Sequence, residues 1–148
     1  SYRRIARTKA PFLSRGDNSG THKKEMSIWR AAGVSPSGLW YVETGDFMRA
    51  TLQRANTEKA YFMSDSSTWI ATKNRLPNLR ILFRGDPVLV NIYHALCQPT
   101  NTTPETDLSE KFTAFLASNK AQHIIETFGR DKHGEPMYRN AAQIRKEI

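Results

Sequence analysis

Short apolar runs alternate with amphipathic stretches along the first two thirds of the chain. Phe12-Leu13 ends one apolar run and leads into a polar, glycine-containing turn. From Thr21 to Ala32, Met26, Trp29 and Ala32 then recur at helical spacing, with Gly33 as the stop. The succession repeats twice. Leu39–Glu43 reads as a strand, and Thr44-Gly45-Asp46 opens a helix that runs to about Asn56 with Phe47, Met48, Leu52 and Ala55 available for packing. Ala60–Ser64 reads as a third strand, after which Asp65 or Ser66 caps a helix that turns Trp69, Ile70 and Leu76 inward before Pro77. Three strand-to-helix units in a row predict an α/β fold with a parallel sheet. Leu79–Phe83 and Val88–Cys97, separated by Arg84-Gly-Asp-Pro87, are expected to pair antiparallel at the end of that sheet.

The flanks differ. Ser1–Lys9 places Tyr2, Ile5 and Ala6 at helical spacing without a cap, as in the last turns of a helix cut at its front. With no initiator methionine, the sequence is expected to be a piece of a longer protein or a processed product. Gln98–Asp107 is polar and rich in Pro and Thr, which marks a crossing between structural units. A long helix is then expected from about Leu108 to Phe128, keeping Phe112, Phe115, Leu116, His123, Ile124 and Phe128 near one side.

Composition narrows the class. A chain of 148 residues with 39% hydrophobic content holds one real core. No apolar run is long enough to span a bilayer and no leader is visible. The net charge of +8 suits an anionic partner, with clusters only at Arg3, Arg4, Arg7 and Lys9 and at Arg145 and Lys146. A single cysteine, Cys97, excludes an internal disulfide and is expected as a buried thiol in its apolar run. Four scattered histidines, His123 and His133 among them, lack paired carboxylates or cysteines and make no metal ligand set. The two Arg-Gly-Asp triplets at 15–17 and 84–86 read as turns that need glycine, not as adhesion motifs.

The chemistry concentrates in Pro11–Glu25. A helix opening after Gly20 leaves unpaired N–H groups and the positive end of its dipole facing the turn, which favours an oxyanion. Arg15 adds a planar, permanently charged fork, and Ser14, Ser19 and Thr21 add hydroxyl donors. The plainer alternative is an ordinary helix start, with Ser19 or Thr21 as N-cap and Asp17 and Asn18 as turn formers.

Ser-Arg-Gly-Asp-Asn-Ser-Gly-Thr-His-Lys-Lys-Glu at 14–25, with Trp29, Ala32, Gly33 and Trp40-Tyr-Val-Glu-Thr-Gly45, resembles the tungstate-binding family of ABC-transporter substrate-binding proteins. Ala60-Tyr61, Ser64-Asp65, Thr68-Trp69, Gly85-Asp86-Pro87, Asn91, Tyr93, Phe115-Leu116 and Phe128-Gly129 continue the family's order. The resemblance implies a periplasmic-binding-protein-like (type II) fold of two lobes with helices on both sheet faces. It implies an oxyanion, tungstate or molybdate, held between the lobes and passed to a membrane ABC permease, in an extracytoplasmic location. No enzyme activity and no cofactor are implied.

By that resemblance residues 1–10 are the end of a helix and linker, and 11–98 form the second lobe. Residues 99–148 cross over and return as a long helix and tail to a first lobe that this chain lacks. Arg15 and Thr21 match the family's oxyanion-contacting arginine and threonine; Ser14, Ser19 and the Gly20 amide are added as neighbours on physical grounds. Ser64-Asp65-Ser66-Ser67 departs from the family, which usually carries an arginine after that aspartate. The apolar side of the last helix is expected to drive self-association when its partner is absent.

Two other classes stay open at this stage. Ser14, Asp17, Ser19 and His22 supply the residue types of a phosphate-ester-processing enzyme, although all lie on one turn. Arg3, Arg4, Arg7 and Lys9 with Tyr2 supply a basic surface for nucleic acid, but no binding motif accompanies them, so no nucleic-acid partner is expected. An oxyanion sensor or storage protein would share the same fold.

Overall fold

The computed structural model describes residues 1–99 and 102–144, and the chain divides into two units, Ser1–Asn91 and Ile92–Ile148. The first unit is built on β1 (Phe12–Ser14), every residue of which is buried. β1 pairs in parallel with β2 (Tyr41–Glu43) on one side and β3 (Tyr61–Phe62) on the other, giving the strand order β2-β1-β3. The register sets Leu13 opposite Val42 and Phe62. A central parallel strand must bury both faces, and the alternation of Phe12 and Leu13 meets that demand.

Phe12 packs with Ile5 of α1 (Tyr2–Thr8) and Trp29 of α2 (Gly20–Ala31). Around them Tyr2, Trp40 and Tyr41 add edge-on aromatic contacts, with Tyr2 and Trp29 centroids 4.3 Å apart. Leu13 turns the other way and packs with Ala55 of α3 (Met48–Glu58) and Ala60, against which Val42, Phe62 and Leu79 lean. Helices therefore cover both faces, as expected. α4 (Ser66–Thr72) packs against α3. Asn56 ties α3 to the segment after α4: its Oδ1 accepts from the Asn78 amide at 2.9 Å and its carbonyl from Asn78 Nδ2 at 3.1 Å.

Three expectations are corrected. Residues 79–83 and 88–97 form no strands, and the 3-10 turn Pro87–Leu89 is their one regular piece, so the sheet has no antiparallel end strand among the described residues. A strand needs a neighbour for its N–H and C=O groups. Ile81, Leu82, Phe83, Tyr93 and Leu96 are exposed, and none of them pairs with a strand of the sheet. For the same reason Cys97 is exposed and not a buried thiol. Phe47, expected to pack, precedes α3 with its side chain 81% exposed.

In the second unit the single long helix is replaced by α5 (Thr106–Ala117) and α6 (Asn119–Thr127). Ser118 adopts an extended conformation between them, donates to the Phe115 carbonyl at 2.6 Å and accepts from the Ala121 amide at 3.3 Å. A serine that caps one helix while closing another competes with continuous helix. Leu108, Phe112, Phe115, Ile124 and Phe128 stay exposed on these helices. α7 (Arg130–His133) lies between two left-handed glycines, Gly129 and Gly134, and α8 (Ala141–Ile144) follows. Of the Gln98–Asp107 connection, residues 100 and 101 lie outside the described residues, as do Arg145 and Lys146. No helix of the described residues is long and apolar enough to cross a membrane.

Candidate functional site

The chain leaves β1 at Ser14 and reaches α2 at Gly20 through a turn whose path is fixed by its neighbours. The Thr44 amide donates to the Ser14 carbonyl and the Gly45 amide to the Arg15 carbonyl, each at 2.9 Å, so the turns after β1 and β2 lie side by side. Gly16 has φ +64°, and a Cβ there would meet Glu43 Cβ at 2.7 Å. Only glycine fits. The helix after β1 covers the Phe12 face while α3 and α4 lie on the Leu13 side, so the connections leaving β1 and β3 diverge. Crevices outside the carboxyl ends of strands at such a point are where open α/β sheets bind ligands.

The five sequence-predicted site residues come together on this turn. Ser14 is fully buried, and its hydroxyl accepts from the Gly16 amide at 3.3 Å. Ser19 is the N-cap of α2, its Oγ accepting from the His22 amide at 3.4 Å. The same hydroxyl donates to the Asp17 carboxylate. The amides of Gly20 and Thr21 donate to no acceptor among the described residues. Nothing lies within 4 Å of a Cβ placed on Gly20, so the helix start is open. The Arg15 side chain is 13% exposed; Nη2 pairs with Asp17 Oδ2, while Nε is buried without a hydrogen-bond partner.

His22 shows a second buried, unpartnered nitrogen. Its Nδ1 accepts from the Asn18 amide at 2.9 Å, which puts the proton of the neutral ring on Nε2, the atom without a partner. Neither Ser14, Ser19 nor Asp17 bonds the imidazole among the described residues. The serine-histidine-carboxylate relay that an ester-hydrolysing enzyme would need is therefore not assembled here. No group of three metal-ligating side chains exists among the described residues, although His123 does have a carboxylate neighbour, Glu126, at 3.2 Å. At the third junction Asp65 caps α4 and also accepts from the hydroxyls of Ser67 and Thr68, so its acceptors are met without the family's arginine.

Two residues of the site escaped sequence reasoning. Asp17 was expected as a turn former or, in the enzyme alternative, as one of the catalytic residue types, and not as a partner of Arg15, yet its carboxylate pairs with Arg15 and accepts from the Ser19 amide at 3.2 Å. Burial alone would raise this carboxyl, but the Ser19 hydroxyl and amide and the Arg15 charge outweigh it and hold it below the usual range. Glu25, one turn before Trp29 on the inward face, is 1% exposed. Trp29 Nε1 and the Tyr41 hydroxyl both donate to its Oε1, at 3.1 and 2.9 Å. Burial pushes the Glu25 carboxyl up, and Tyr41, Ser14, Trp29 and His22 draw it down only in part. Burial likewise raises the Tyr41 and Tyr2 phenols. The signal for Glu25 was its four-residue spacing from a core tryptophan, a spacing that stacks side chains on one helix face.

A PBP superfamily domain model matches residues 2–120. The chain belongs to the PBP superfamily. Within it, this chain is 35% identical over 146 residues to the tungstate-binding protein TupA of Peptoclostridium acidaminophilum, covering 95% of this chain and 50% of that protein. It is 41% identical over 133 residues to a putative ABC transporter anion-binding protein of Haloferax volcanii, covering 84% of this chain and 38% of the relative. Among solved structures, the tungstate ABC transporter protein from Geobacter sulfurreducens superposes with a TM-score of 0.68 at 32% identity. That superposition covers 84% of this chain and 53% of the other. The PBP-like fold and the likeness to tungstate-binding proteins expected from Ser14–Glu25 thus both hold. The chain spans about half or less of the length of these relatives.

Proposed function

We propose that this PBP-superfamily chain supplies one lobe of a two-lobed solute-binding component of an ABC importer, and that its β1–α2 turn holds one side of a tetrahedral oxyanion, tungstate or molybdate. The observation that carries this reading is the Arg15 turn itself. It gathers a half-buried arginine with a buried, unpartnered Nε, two unpartnered amides and the hydroxyls of Ser19 and Thr21, in a chain whose relatives are named for tungstate binding. A fully ionised tetrahedral oxyanion offers only acceptors, so a site made of donors suits it. Arg15 supplies charge and direction, the Gly20 and Thr21 amides supply the helix-start donors, Ser19 and Thr21 supply hydroxyls, and Ser14 anchors the strand end.

In this reading residues 1–10 lead into the lobe, 11–98 build it and 99–148 return to the partner lobe, whose donors complete the site on closure. The working compartment is extracytoplasmic, and the partner is a membrane permease. Each charge-assisted hydrogen bond contributes about 1.5–3 kcal/mol. The 148-residue chain alone, lacking two or three such donors, therefore binds about a hundredfold or more weaker than the whole protein. It also self-associates through the exposed apolar residues of α5 and α6.

Calorimetric titration of tungstate, molybdate, sulfate and phosphate into the full-length protein and its Arg15→Ala variant tests the proposal. Tight tungstate or molybdate binding that Arg15→Ala abolishes supports it. Binding that survives Arg15→Ala, or no oxyanion binding by the full-length protein, refutes it.

A further inference from the structure

Some donors of the proposed site have a partner within the chain. Asp17 sits two residues after Arg15 on the same turn, takes Arg15 Nη2 through Oδ2, and takes the Ser19 amide through Oδ1 at 3.2 Å. One carboxylate thus spans a guanidinium nitrogen and an amide beside the start of α2. It fills the site only in part. Arg15 Nε remains buried and unpartnered, and the Gly20 and Thr21 amides remain unmet. Two coplanar oxygens cannot reach donors arrayed around a volume, whereas the four oxygens of a tetrahedral anion can.

We infer that Asp17 is an internal, displaceable anion: its carboxylate holds Arg15 while the site is empty, and an oxyanion binds by replacing it on the guanidinium. Asp17 is thereby a residue that sets affinity for the ligand. This rests on the oxyanion reading of the site.

Two physical arguments favour displacement over a permanent orienting role. First, a carboxylate left against Arg15 would stand beside the bound anion, and like charges at such a distance repel. Second, the Asp17 side chain, at 20% exposed, reaches solvent more readily than that of Arg15, so it has somewhere to go. The carboxylate is held ionised by Ser19 and Arg15 against the effect of burial, so it competes as an anion at neutral pH.

The test is tungstate titration of the full-length protein, wild type and Asp17→Asn side by side at pH 8 and fixed ionic strength. The asparagine keeps an acceptor for the Ser19 amide and replaces the other carboxylate oxygen, with its charge, by an NH2 group. Asp17→Asn is expected to bind tungstate about two- to fivefold more tightly, the scale of one partly exposed ion pair. Equal or weaker binding by a variant that melts at the wild-type temperature overturns the inference and makes Asp17 an orienting or bystander residue.

If the asparagine variant melts early, Asp17→Ser, which also keeps a short acceptor, takes its place. In the wild type, the Asp17 carboxyl carbon resonance is expected to move toward that of a solvated carboxylate as tungstate is added. A resonance that stays fixed while tungstate binds also overturns the inference. A wild-type protein that binds no tungstate removes the oxyanion reading itself, an outcome distinct from binding that Asp17→Asn fails to strengthen.

Discussion

The Tyr41 hydroxyl donates to Glu25 Oε1 at 2.9 Å, and this bond ties the edge strand β2 to α2, the helix that the Arg15 turn opens. Trp29 Nε1 donates to the same oxygen. Removing the carboxyl leaves the buried Trp29 Nε1 without an acceptor and the half-buried Tyr41 hydroxyl with only the weak acceptor Met26 Sδ, at 3.5 Å, and a buried donor left unmet costs about 1–3 kcal/mol. Glu25→Ala is therefore expected to be severely destabilised in urea melts, and Glu25→Gln, which keeps a carbonyl oxygen, much less so.

The same carboxyl gives a pH dependence. Burial raises its pKa in the folded protein, with the Tyr41, Ser14 and Trp29 hydrogen bonds and His22 opposing in part. A raised value means that the folded state holds the proton to higher pH than the unfolded chain. The stability gained is fully present below the ordinary carboxyl range and is lost as pH rises through the folded value. Glu25→Gln cannot titrate. Its unfolding midpoint is expected to gain on that of the wild type as pH is raised from the ordinary carboxyl range through neutrality; a gap that narrows over this window would contradict the assignment.

Gly16 is expected to tolerate no side chain. Alanine in the left-handed region costs about 1–2 kcal/mol, and at this position its Cβ also meets Glu43 Cβ at 2.7 Å. The turn must shift, carrying Arg15 with it. Gly16→Ala should lower both the melting temperature and oxyanion affinity, whereas alanine at Gly20, which is open and helical, should leave the melting temperature nearly unchanged. Equal effects at the two glycines would show that the turn is not held as described.

Ser19 has two separable roles, cap and donor. Ser19→Ala removes both and should cost about 1 kcal/mol of stability together with affinity. Ser19→Asp keeps an N-cap acceptor for the His22 amide and interacts favourably with the helix dipole. It nevertheless sets a negative charge where the anion would sit. Stability close to wild type with oxyanion binding lost is the expected outcome for Ser19→Asp, read by thermal melting and calorimetry on the same preparation.

What the sequence made legible was whatever depended on neighbours close along the chain. Phe12 and Leu13, as adjacent apolar residues before a glycine turn, announced a strand buried on both faces, and the Ser19 cap and Gly16 turn followed from residue type. Pairing partners were less legible. Nothing in Leu79–Phe83 or Val88–Cys97 says whether a sheet edge is there to receive them, and β propensity without a partner strand forms no ladder. The break at Ser118 was hidden because apolar spacing continues across it while one hydroxyl redirects the backbone. Glu25 and Asp17 were missed because a charged residue on a helix or turn reads as solvated until its partners, here Tyr41 and Arg15, are brought to it by the fold.

Arg15→Lys separates charge from shape. Lysine keeps one positive charge on a flexible stem but loses the planar fork and the Nε–H that now lies buried and unpartnered. If charge alone held the oxyanion, the lysine variant would bind nearly as well as wild type. If the fork matters, one charge-assisted hydrogen bond is lost, about 1.5–3 kcal/mol, or roughly ten- to a hundredfold in Kd. The second outcome is expected, because a lysine ammonium has three freely rotating donors and must give up more rotamer freedom to aim any one of them. The loss should also be smaller in an Asp17→Asn background, where no carboxylate competes for the ammonium. A lysine variant that matches wild type in both backgrounds would assign the anion to the helix-start amides and leave Arg15 as a source of field alone.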